Sequence, residues 1–165
     1  MKHEITATAF RQAFREAHGL EPLVLPDVEV IDSLEADIDT LRDALSGAPW
    51  ARVEEPREGD ESERFVVWPV DGVQVNFFFG WGAPIEFDFD FREIVDDEVF
   101  GGLLRLFRLV SSALSKDVVV RAEGYRGGPP VVHIDSGTGD VVLNPLSLKI
   151  ASSDRGSAYG RLISS

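Results

Sequence analysis

Residues 85–91 read IEFDFDF, an unbroken alternation of apolar side chain and carboxylate. Strand side chains alternate between two faces, whereas a helix would scatter this pattern around its circumference, so the run predicts a half-buried β-strand. Ile85, Phe87, Phe89 and Phe91 share one side, and Glu86, Asp88 and Asp90 share the other. The preceding stretch, RFVVWPVDGVQVNFFF, sets two β-rich runs on either side of Asp71-Gly72, a dipeptide that predicts a tight hairpin. Val73, Val75, Phe77 and Phe79 then fall on one face of the second hairpin strand. Three such strands in a meander pool their apolar residues into one surface, and water must be kept from it.

The cover is legible further along. From about Asp97 to Ser115 the chain carries Phe100, Leu103, Leu104, Leu106, Phe107 and Val110 among other apolar residues, with a narrow polar strip around Arg105, Arg108, Ser111 and Ser112. A helix of this composition is largely buried. Two amphipathic helices precede the strands. The first has Thr6 as N-cap and Phe10, Ala13, Phe14 and Ala17 on one face. In the second, Asp32 and Glu35 stand at capping-box spacing beside the stripe Leu34, Ile38, Leu41 and Leu45. After the long helix, DVVVRAEG reads as a strand, and PPVVHIDSGTGDVVLNP reads as two more joined by the turn at Ser136–Gly139. Trp50 to Glu63 is polar and reads as a loop, while Pro69 favours an edge position for residues 64–69. This order predicts an α+β fold, a largely antiparallel sheet of about six strands with helices packed on one face. The expected organisation is one domain over residues 1–145 and a mostly irregular tail over 146–165.

Charge narrows the partners. The chain has 29 Asp and Glu against 16 Lys and Arg, a formal net charge of −13. Such a field repels nucleic acid phosphates and anionic lipid headgroups and attracts cationic partners, so neither nucleic acid nor membrane binding is expected. The absence of cysteine removes disulfides, thiolate metal sites and a thiol nucleophile. MKHEITATAF has no apolar core of signal-peptide length, and no run approaches the roughly 20 apolar residues of a membrane span. Cytoplasmic residence is the expectation.

The acids of the alternating strand repeat about every 7 Å, too far apart for all three to clamp one ion directly. They serve either as a solvated face that discourages edge pairing or as a docking face for a basic partner. Density supports docking, since Glu86 to Glu98 holds seven acids and one base, Arg92. Trp81, on the turn Gly80-Trp81-Gly82, supplies an aromatic anchor or a lid over the phenylalanines. The candidate partner-binding set is therefore Trp81, Glu86, Asp88, Asp90, Asp96 and Asp97.

Catalytic signatures are missing from the sequence. His133 beside Asp135 is one part of a triad, but Ser111, Ser112 and Ser136 have no nucleophile motif around them. Gly137-Thr138-Gly139 precedes no helix and reads as a hairpin turn rather than a phosphate cradle, and no cofactor is expected. A second reading is a small hydrolase or transferase holding a divalent ion through Asp88 and Asp90. A third is a secretion-system accessory protein or chaperone that docks through its phenylalanine-rich sheet edge.

The stretch over 97–145, an apolar helix followed by DVVVRAEGYRGGPPVVHIDSGTGDVVLNP, resembles the closing helix-strand-hairpin unit of small bacterial immunity proteins from polymorphic and contact-dependent toxin systems. That resemblance implies a non-enzymatic protein that neutralises a basic toxin domain, such as a nuclease, by tight binding. It assigns no individual residue.

Overall fold

A computed structural model of the chain describes residues 5–18, 25–55, 65–80, 82–123 and 128–144. Trp81 and the 146–165 tail lie outside the described residues. The element order is α1 (Ala7–His18), β1 (Asp27–Val30), α2 (Ala36–Ser46), β2 (Arg52–Glu54), β3 (Phe65–Val70), β4 (Val73–Phe79), β5 (Ile85–Phe89), α3 (Asp97–Leu114), β6 (Val118–Arg121), β7 (Val132–Ile134) and β8 (Val141–Leu143). A short 3₁₀ turn, Phe91–Glu93, leads from β5 toward α3.

The fold is α+β, as the pattern predicts, but among the described residues the sheet has eight strands rather than about six. Their order is β2-β3-β4-β5-β1-β6-β7-β8, and every pairing is antiparallel. The two additional strands are short, four residues in β1 and three in β2. β2 forms inside the stretch read as loop and pairs with β3 from Arg52↔Trp68 to Glu54↔Val66. This also corrects the edge position expected for 64–69. Pro69 is tolerated between two neighbours because β2 pairing stops at Trp68 and the β3–β4 register shifts between Val67 and Val70, so no ladder bond needs its missing N–H.

All three helices lie on the apolar face. Phe10 of α1 packs 6.3 Å from Phe89 and 4.9 Å from Phe100, ring centre to ring centre. Phe107 of α3 sits 5.5 Å from Phe87 and 5.9 Å from Phe89, and Leu41 and Leu45 bring α2 into the same core. Eight phenylalanines, including Phe65, Phe77 and Phe87, are fully buried. At about 1.5–3 kcal/mol for each large apolar side chain removed from water, this layer dominates the favourable side of folding.

Local signals set the helix ends. Thr6 Oγ1 accepts the Ala9 N–H at 3.0 Å, and Asp96 accepts the Val99 N–H at 2.8 Å, satisfying donors that the first helical turn leaves open. α2 departs from its expected capping box: Asp32 adopts φ 57°, and Asp37 instead reaches back to accept the Leu34 N–H at 2.8 Å. Among the described residues no helix is long and apolar enough to cross a membrane.

Candidate functional site

The acids of β5 point away from the helices. Burial alternates along β5, with Ile85, Phe87 and Phe89 in the core and Glu86 and Asp88 half-buried on the opposite face. Asp90 continues the alternation just past the strand end, so the three carboxylates share a side.

β1 doubles this charge. Its sequence, DVEV, repeats the alternation of β5 on a smaller scale, placing Val28 and Val30 in the core and Asp27 and Glu29 on the outer face. The antiparallel register sets Asp27 directly opposite Asp88 and Glu29 directly opposite Glu86. Two rows thus run across four strands: Asn76, Asp88, Asp27, Arg121 and, beside it, Phe78, Glu86, Glu29, Val119. Like charges placed opposite each other oppose strand pairing. Neighbouring donors offset part of that cost. Arg121 Nη1 donates to Glu29 at 2.6 Å, Asn76 donates to Asp88 at 2.9 Å, and the Ala83 N–H donates to Glu86 at 3.1 Å. Gln74 extends the chain by donating to Asn76 at 2.8 Å.

The carboxylates line a cleft of about 40 Å³ together with Phe78 and Arg121. That volume holds a few waters and falls far short of the 300 Å³ or more, roughly, of a small-molecule site. The arrangement is suited to surface contact rather than enclosure. Among the described residues no group of three or more His, Asp or Glu side chains is placed to hold a metal ion. Asp88 and Asp90, the pair considered for a divalent ion, are engaged separately. Asp90 takes bonds of 3.0 and 2.8 Å from the Arg92 guanidinium and 2.9 Å from the Arg92 N–H. The Arg92 side chain, outweighing the effect of burial, holds the Asp90 carboxyl below its ordinary range.

The remaining candidates divide. Asp96 is the N-cap of α3, and Asp97 accepts the Ala7 N–H at 2.9 Å, tying the start of α1 to the start of α3. Both belong to the helical layer and are not gathered with the β1–β5 acids. Asp27, Glu29 and Arg121 complete the outer face and were missed in the sequence, although the period-two alternation of DVEV is the signal that marks the first two.

His133 has a different partner from the one its neighbour suggests. Its Nε2 lies 2.8 Å from Asp117 Oδ2, while Asp117 Oδ1 accepts the Ser136 N–H at 2.8 Å. Asp135 instead folds into its own turn, accepting the N–H groups of Gly137 and Thr138 at 2.9 Å. Ser111 is buried in α3, and its hydroxyl has no hydrogen-bond partner among the described residues. Asp117, just before β6, thus ties to β7 through His133 and to the β7–β8 turn through Ser136. No family model matches the chain, and no curated protein or solved structure matches it.

Proposed function

We propose that the chain acts by binding a basic protein through the sheet face opposite its helices, in the manner of an immunity protein that neutralises a basic toxin domain such as a nuclease. One observation carries this reading: Asp27 faces Asp88, and Glu29 faces Glu86, on adjacent central strands. Such opposition weakens the free fold, and cationic side chains from a partner relieve it on binding. The net charge of −13 adds long-range attraction that speeds encounter with a cationic surface and fades with salt. Buried apolar contacts then hold the complex.

The test is association with the product of the neighbouring gene, measured for the unaltered protein and for a variant carrying Glu86→Lys and Asp88→Lys. The expected result is tight binding that weakens with added salt and is lost in the variant. No association, or association with unchanged strength and salt dependence in the variant, overturns the reading.

A further inference from the structure

The character of this face narrows what lies on it. β5 is hydrogen-bonded to β4 on one side and β1 on the other, and β1 is bonded to β5 and β6. The backbone donors and acceptors at the centre of the sheet are therefore committed laterally, and the face offers side chains alone. A lone partner strand pressed onto it would find no row of backbone acceptors for its own N–H groups, only scattered side-chain oxygens, and each N–H shut away from water without a bond costs about 1–3 kcal/mol. A helix meets this requirement internally.

Spacing and polarity agree. Successive same-face residues on β1 and β5 repeat about every 7 Å, close to the roughly 6 Å rise between helix residues four apart. The Glu86–Glu29 row is flanked by Phe78 on β4 and Val119 on β6, and the Asp88–Asp27 row by Asn76 and Arg121. Val119 on β6 and Val66 on β3 also lie on the outer side of the sheet but are buried, so half-buried Phe78 is the apolar side chain left beside the Glu86–Glu29 row.

We propose that the β1–β5 seam receives an α-helix of the partner, lying along the strands, with two Arg or Lys side chains four residues apart over the carboxylates and an apolar side chain beside them against Phe78. The proposal rests on the binding reading given above. It does not require free carboxylates: Asn76, Arg121 and the Ala83 N–H already bond to them, and each oxygen of a carboxylate can accept more than one hydrogen bond.

The probe is a helix-stapled peptide with two arginines four residues apart and leucines on the same face, compared with an isomer of identical composition in which a central proline abolishes the helix. Binding to the full chain is read by fluorescence anisotropy, with Glu86→Gln and Asp88→Asn as variants that keep the size of the originals and remove the negative charge. The expected outcome is binding of the stapled peptide about tenfold tighter than its isomer, with most of that advantage lost in either variant. Equal binding of the two peptides, reduced alike by both variants, overturns the helical partner while leaving a cation-binding face in place. Binding of neither peptide, or binding indifferent to both variants, overturns the helix and counts against the acidic face itself.

Discussion

Gly102 of α3 lies so close to Val70 of β3 that a Cβ at position 102 would stand 2.7 Å from the valine Cβ and 2.8 Å from its Cγ1. Carbon atoms in contact prefer roughly 3.5–4.0 Å, so either the helix or the strand must move to admit one methyl group. Gly101, one residue earlier, has open space around its position. Alanine favours a helix interior by up to about 1 kcal/mol over glycine, whereas overpacking costs about 1–3 kcal/mol. Gly101→Ala is therefore expected to raise the denaturant midpoint and Gly102→Ala to lower it. Equal shifts in the two urea melts would mean that α3 does not approach the sheet this closely.

Ser115 closes α3 in the left-handed region, at φ 53°, with its N–H directed to the carbonyls of Ser111 and Ser112. Glycine adopts this conformation without the steric penalty of a Cβ, so Ser115→Gly is expected to stabilise the fold by about 0.5–1 kcal/mol. Ser115→Val, β-branched at the same φ, is expected to destabilise it. Thermal melts of the two variants give the sign directly.

Acid acts on a defined set of carboxyls. Burial would raise the Asp117 pKa, but the Ser136 N–H and the His133 ring outweigh it and hold the group below its ordinary 3.8. At Asp37, burial is likewise outweighed, here by the ammonium of Lys116, and at Asp90 the Arg92 side chain lowers the pKa. Each of these groups binds its proton more weakly in the fold than in the unfolded chain. Their stabilisation is therefore complete above about pH 4 and is lost as pH falls through the folded-state values. The melting temperature is expected to drop below about pH 4, and Asp117→Asn, less stable at neutral pH, is expected to converge on the parent there. Because Asp117 is about a third exposed, the neutral-pH difference should stay near 1 kcal/mol or less. A gap that persists at low pH would place the stabilisation elsewhere.

Stability and binding should separate among the acids. Asp96→Ala removes the N-cap of α3 and is expected to cost about 1 kcal/mol, and Asp97→Ala, which strands the Ala7 N–H, a similar amount. Glu86→Gln and Asp88→Asn should melt near the parent or slightly above it, because each removes one member of a like-charge pair. Calorimetric melts of the four variants check this. A loss at positions 86 and 88 as large as at 96 and 97 would contradict the arrangement across β1 and β5.

Local order was legible where the period was long enough. The hairpin at Asp71-Gly72, the alternation through Phe91 and the apolar stripe of α3 each occupy enough residues to identify themselves. β1 and β2 did not, because a strand of three or four residues carries one or two repeats and takes its stability from neighbours far away in the chain. The acidic pairs were hidden for the same reason. Asp88 announces its face, but Asp27 joins it only through a register between residues about sixty positions apart. His133 shows the reverse error: adjacency pointed to Asp135, whereas backbone turn bonds claim that carboxylate and leave Asp117 to meet the imidazole.

β1 is made early yet stands between β5 and β6, so it is the hinge pin that joins the hairpin half of the sheet, β2 to β5, to the closing half, β6 to β8. A nascent chain that has emerged only through residue 114 holds β1 with its second neighbour still missing. Pairing β1 on both sides requires closing long loops between sequence-distant segments, contacts that form slowly as a class, and the sheet is not complete until the chain has been synthesised through β8.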